Sequence, residues 1–166
     1  MNRPGYIVIH CSATREDVDF TEKQIDECHV ARGFSKWGYH YYIRKDGRVV
    51  PMRAENEIGA HDSFKSPEGC SYNYNSIGVC YEGGLDRKGN AKDTRTDAQK
   101  KAMRELVADI CGRYQILDVL GHRDTSPDRN GNGIVERCEW MKECPCFEVK
   151  SEFTGFLRPV IVRPEK

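Results

Sequence analysis

Residues 6–10 read Tyr6-Ile7-Val8-Ile9-His10, a continuous apolar run that ends on an imidazole. A stretch apolar on both of its alternating faces suits a strand buried on both sides, the pattern of a central strand in a sheet covered by helices. His10 then stands at the C-terminal end of that strand, the edge at which sites form in α/β proteins. A second run, Ile116 to Leu120, repeats the arrangement: a short strand followed at once by Gly121-His122-Arg123-Asp124.

The segments around these runs complete the pattern. Thr21-Glu22-Lys23-Gln24 is a capping box with Phe20 and Ile25 placed as a hydrophobic staple, which predicts a helix from about residue 22 that Gly33 should stop. Tyr39–Ile43 and Arg48–Met52 flank Asp46-Gly47 and predict a hairpin, and Ser76–Tyr81 predicts a strand before the Gly83-Gly84 break. Residues 61–75, rich in Ser, Gly, Asn, Lys and Pro, read as a long loop. Thr96-Asp97-Ala98-Gln99 opens a second helix, whose apolar positions Met103, Leu106, Val107, Ile110, Cys111 and Tyr114 follow the helical period. The expected architecture is α/β: a single domain over residues 1–166 with its motif-bearing core at about 6–150, a central mixed β-sheet and flanking helices.

A chain of 166 residues is long enough for one hydrophobic core. Its 26 basic and 26 acidic residues are interspersed, so neither a nucleic-acid-binding face nor a membrane-binding patch is expected. No apolar run approaches the roughly 20 residues that span a bilayer. Met1 to Gly5 leads directly into the first strand without a signal segment, so cytoplasmic synthesis is expected. Several of the eight cysteines fall inside predicted strands or helices, which favours reduced thiols over a disulfide scaffold.

His10, His122 and Cys144 supply two imidazoles and a thiolate, a zinc set that leaves the fourth tetrahedral position open, as catalytic zinc sites do. Taken alone, each histidine is more often structural, and Cys146 in Cys144-Pro145-Cys146 is a rival thiol. Five motifs decide the matter: Ile9-His10-Cys11-Ser12-Ala13-Thr14, Trp37-Gly38-Tyr39-His40, Asn75-Ser76-Ile77-Gly78-Val79, Gly121-His122-Arg123-Asp124 and Lys142-Glu143-Cys144-Pro145. In this order they resemble the zinc N-acetylmuramoyl-L-alanine amidases, above all the short phage lysozymes of that activity and, more distantly, the peptidoglycan recognition proteins.

The resemblance implies zinc held by His10, His122 and Cys144, with Tyr39 and Lys142 as catalytic residues. It also implies hydrolysis of the amide between N-acetylmuramic acid and L-alanine in peptidoglycan. His61 and Asn75 bracket the long loop and are the expected substrate contacts; Asp62 to Tyr74 is longer than the matching stretch of the short phage enzymes. His40 should be structural, because adjacent strand residues face opposite ways. A monomer that reaches the cell wall only on release, as an endolysin does, is the expected setting. The alternatives are a muramyl-peptide-binding module without activity, and a surface for a protein partner such as some phage amidases carry.

Asp128 to Glu139 also fits the twelve-residue calcium-loop pattern, with Asp128, Asn130 and Asn132 at positions 1, 3 and 5, Gly133 at 6, the Ile134 carbonyl at 7 and Glu139 at 12. Thr125-Ser126-Pro127 is a poor entering helix, and the two asparagines are neutral, so any calcium affinity should be weak; the alternative is a Gly/Asn-rich turn.

Overall fold

A strand that is apolar on both faces needs cover on both, and Tyr6–Cys11 is buried at every position. The computed structural model describes residues 1–159. In chain order it contains strands β1 (Tyr6–Cys11) and β2 (Thr14–Arg15), helix α1 (Glu22–Ala31), strands β3 (Tyr41–Ile43) and β4 (Val49–Pro51), helix α2 (Tyr72–Asn75), strands β5 (Ser76–Tyr81) and β6 (Gly84–Leu85), helix α3 (Asp97–Arg113), strand β7 (Asp118–Gly121) and helix α4 (Val149–Phe153). The main sheet runs β4-β3-β5-β1-β7, parallel except for β4, and β2 pairs with β6 in a separate two-stranded ribbon. This is the expected single α/β domain with a mixed sheet.

Alternation along β1 sorts its side chains between two layers. Ile7, Ile9 and Cys11 join Ile77, Val79 and Tyr81 against Met103, Val107, Ile110 and Cys111 of α3, with Val149 and Phe153 of α4 closing the core. Tyr6 and Val8 turn to the opposite face, where they meet Tyr72, Leu120 and Phe64. His10 has the parity of that second face. Along the same side, α1 buries only Ile25 and His29, which leaves a cleft beyond the end of β1.

Both capping boxes form. Thr21 and Gln24 exchange hydrogen bonds at the start of α1, and Thr96 and Gln99 do so at the start of α3. Gln99 is fully buried, and its amide donates to the carbonyls of Ile43 and Glu82, so the sheet and α3 are tied by a satisfied polar group as well as by packing.

The structure differs from the sequence reading in three places. Tyr39 and His40 precede β3, although their backbones still bond Arg53, Gly78 and Met52. The last strand begins at Asp118, after Ile116 has been buried and the Leu117 N–H has bonded Gly5. Residues 61–75 are not a loop throughout: Lys65 bridges Ser71 and the segment ends in α2. Ser71 caps that helix and the Tyr72 ring stands edge-on to Tyr6 at 5.2 Å, a tertiary anchor that composition does not reveal.

Candidate metal centre

β1 and β7 are parallel neighbours in a register that pairs Ile9 with Gly121, so their C-terminal ends lie side by side. His10 is the penultimate residue of β1, and His122 opens the 3-10 turn that follows β7. Their Nδ1 atoms are 3.1 Å apart, and Cys144 Sγ lies 4.0 Å from His10 Nδ1. All three donor atoms fall within 4.8 Å of one another. Tetrahedral zinc with ordinary N and S bond lengths separates such donors by about 3.3–3.6 Å, so the set fits the ion with small adjustments.

The Cys144 position is fixed by hydrogen bonds to its sulfur and to the backbone around it. The Cys11 N–H donates to Cys144 Sγ at 3.2 Å, the Arg123 N–H to the Cys144 carbonyl at 2.8 Å, and the Tyr81 hydroxyl to the Pro145 carbonyl at 2.7 Å. Cys146 faces elsewhere: its sulfur lies 4.0 Å from Cys11 Sγ and packs against the core. All eight cysteines are unpaired.

His10 is 1 % exposed, and burial first, then the neighbouring His122, His61 and Lys142, hold its pKa well below the ordinary imidazole value. Burial and Lys142 push His122 down to about 3. Both rings are therefore neutral near pH 7, the form a metal requires.

Behind His10 stands His61, with its Nδ1 at 3.0 Å from His10 Nε2 and its Nε2 at 3.4 Å from Ser76 Oγ. A metal on His10 Nδ1 would leave the proton on Nε2, donated to His61, the kind of outer partner that fixes tautomer and ring angle. The position depends on glycine: a Cβ at Gly78 would sit 2.6 Å from the His61 ring, and one at Gly59 would sit 2.5 Å from it. His61 thus backs a candidate ligand as well as lining the cleft, whereas the sequence suggested only substrate contact.

Asn75, the other expected substrate contact, lines neither this cleft nor the larger cavity beside it. Its amide donates to Ser66 Oγ, and its carbonyl caps the Gly5 N–H. Asn73 takes the place by the site, accepting from the backbone N–H groups of His61 and Asp62. His40 is fully buried, bonded to Gly78 and Glu57 backbone, and structural.

Tyr39 and Lys142 line the cleft with the donor set. The Tyr39 ring is 5.1 Å from the His10 ring, and burial raises its hydroxyl well above the ordinary phenol value, so it remains a proton donor. Asp62, unmarked by any sequence motif, is 2 % exposed in the cleft wall; Oδ1 accepts the Phe64 N–H and Oδ2 has no partner among the described residues.

Burial raises the Asp62 carboxyl to about 6, against the opposing effects of Thr125, the Phe64 N–H and Lys142. A carboxyl whose folded pKa is raised stabilises the fold below about pH 4 and loses that contribution as pH rises through 6. Asp62→Asn should therefore stabilise the zinc-free protein by about 1–3 kcal/mol at pH 7.5 and by little at pH 4. Urea unfolding at the two pH values measures the difference; equal effects at both would contradict the assignment.

The candidate calcium loop has the expected turns, with Gly131 and Gly133 at φ of +73° and +84°. Its side-chain oxygens are drawn inward by the loop's own backbone. Asp128 accepts from Gly131 and Gly133, Asn130 from Asn132, Asn132 from Ile134, and Glu139 from Arg129, Asn130 and Glu136. A 3-10 turn, Arg137–Glu139, replaces an exiting helix.

Compared with known proteins, the chain matches the family model for N-acetylmuramoyl-L-alanine amidase over residues 1–146. It belongs to that family. The endolysin of Klebsiella phage KP32 is 33% identical over 144 residues, 87% of this chain and 82% of the relative. The solved N-acetylmuramoyl-L-alanine amidase LysC of Clostridium intestinale is 30% identical with a TM-score of 0.63, over 87% of this chain and 77% of that one. Drosophila PGRP-LB, 22% identical over 98% of this chain and 88% of its own, shares the fold with a TM-score of 0.64. No helix of this amidase-family chain among the described residues is long and apolar enough to cross a membrane.

Proposed function

We propose that this chain hydrolyses the amide between N-acetylmuramic acid and L-alanine in peptidoglycan, using zinc held by His10, His122 and Cys144. The observation that carries the reading is that these three donor atoms converge within 4.8 Å at a cleft of about 610 Å³. Zinc held there would supply Lewis acidity for the amide carbonyl and for a nucleophilic water near neutral pH.

The chain's own groups complete the chemistry. Tyr39 donates a hydrogen bond to the carbonyl oxygen as negative charge develops on it, the step at which a fixed donor contributes most. Lys142, on the open rim, offsets the same charge and provides a proton to the departing amine. Water oxygen bonds the carbonyl carbon, the carbon–nitrogen bond breaks, the stem peptide leaves with its L-alanine amino group free, and the proton that water gives up replaces the one Lys142 donated. His61 holds the His10 ring in register throughout. The setting is that of an endolysin made in the cytoplasm and reaching the wall after release.

Metal analysis joined to an assay for new L-alanine amino termini from purified peptidoglycan tests the reading. One zinc per chain is expected, with release that a chelator stops and added zinc restores. Zinc without cleavage of any wall type would favour a binding module instead.

We also propose that the Asp128–Glu139 loop takes calcium weakly and structurally. The side chains at its positions 1, 3, 5 and 12 already point into the turn, which supports this reading. Millimolar calcium should raise the melting temperature of stripped protein by a few degrees, the effect of roughly 1 kcal/mol of linked binding. Asp128→Ala should abolish that rise, and a melting temperature indifferent to calcium would remove the proposal.

A further inference from the structure

A cavity of about 960 Å³, larger than the metal cleft, lies beside it and shares only Ser63 and Phe64 with it. Phe64 is the ridge between them. Its ring stands 6.3 Å from that of His122, and its backbone is held by Asp62 on one side and Tyr72 on the other. The cavity's size falls within the range of ligand sites.

Charge separates the two spaces. The cleft carries Arg32 and Lys142 on its rim against one buried carboxyl, Asp62. The cavity carries Asp118, Asp124, Asp128 and Glu148 against Lys65 and Lys150, and Lys150 is already paired with Asp118 at 3.4 Å. Rings also line it: Tyr6, Phe64, Tyr72 and Trp140. Trp140 lies under the Arg123 guanidinium at 3.9 Å, and its indole N–H is buried without a partner among the described residues.

The scissile amide joins two chemically different arms. The stem peptide ends in carboxylates, which the cationic cleft attracts and the acidic cavity repels. The glycan is neutral once its lactyl carboxyl is in amide linkage. Its sugars present apolar C–H faces for aromatic rings, and hydroxyls and acetamides for carboxylates and free donors.

We propose that the cavity beyond Phe64 is a glycan subsite that holds neutral N-acetylhexosamine residues of the strand being cut. The peptide lies on the α1 side of the donor set. The subsite rests on the amidase reading for its purpose, but its binding step needs neither zinc nor catalysis.

The probe is the peptide-free oligosaccharide tetra-N-acetylchitotetraose. The chain has two tryptophans, so Trp37→Phe leaves Trp140 as its one indole, a fluorescence reporter in the cavity wall. Amide chemical shifts of the unaltered protein give a second readout that does not depend on the variant. Saturable quenching or enhancement is expected, with shifts at residues 63–67, 118–128 and 133–135. Glu148→Ala combined with Ile134→Ala should weaken the binding on the order of fivefold, equivalent to about 1 kcal/mol.

In kinetics, the same double variant should lose much of the rate advantage of long glycan strands over a single-sugar muramoyl peptide. No response to the sugar at millimolar concentration, or shifts confined to the α1 side, would overturn the subsite while leaving the amidase reading intact. Sugar binding at the cavity in a protein that cleaves no wall would do the reverse.

Discussion

Cys144→Ser is expected to lose zinc and at least ~10³-fold of the amidase activity, because a serine hydroxyl stays protonated near neutral pH and is a poor zinc ligand in place of thiolate. Cys146→Ser should keep both. The contrast follows from where the two sulfurs point: Cys144 Sγ lies 4.0 Å from His10 Nδ1 and accepts the Cys11 N–H, while Cys146 Sγ turns to Cys11 in the core. Zinc content by metal analysis and release of L-alanine amino termini, measured on both variants, decide it. The opposite pattern would move the ligand by two positions and undo the assignment of the site.

Tyr39→Phe should lower kcat by about 10²–10³-fold, the usual loss when one fixed donor to a developing oxyanion is removed, with KM changed far less. Zinc content should be unaffected, since the ring packs beside His10 without belonging to the donor set. Its hydroxyl is held protonated, so the lost function is hydrogen-bond donation rather than a titrating base. A normal rate in Tyr39→Phe would return this side chain to packing alone and leave Lys142 as the sole proton donor at the rim. Lost zinc in the same variant would instead mean that the ring supports the ligand geometry.

His61 shows how far a motif reaches. Its position near a long polar loop marked it as a contact, but its bond to His10 arises because Gly59 and Gly78 leave room for its ring over the sheet. Nothing in the local sequence encodes a distance between residues so far apart in the chain. Asn75 and Asn73 sit in the same polar segment, and only the turn into α2 decides which of them lines the cleft. Asp62 carried no signal, because a carboxylate in a polar loop is by default solvated, and burial here comes from the segments folded over it.

The sequence by itself determined the strand that is buried on both faces, both helix starts, the hairpin glycine and the two histidines and Cys-Pro-Cys segment that could supply a metal site. These depend on local causes: alternation of apolar residues, reciprocal capping bonds, a turn position with positive φ, and donor types that match zinc. Only the tertiary structure decided that Cys144 rather than Cys146 meets the histidines, that His61 braces His10, and that Phe64 divides the cationic cleft from the acidic cavity. Those facts are set by the parallel pairing of β1 with β5 and β7, which brings strand ends from remote positions in the chain to one edge. Local pattern cannot specify such proximity, because it is created by the packing of whole elements.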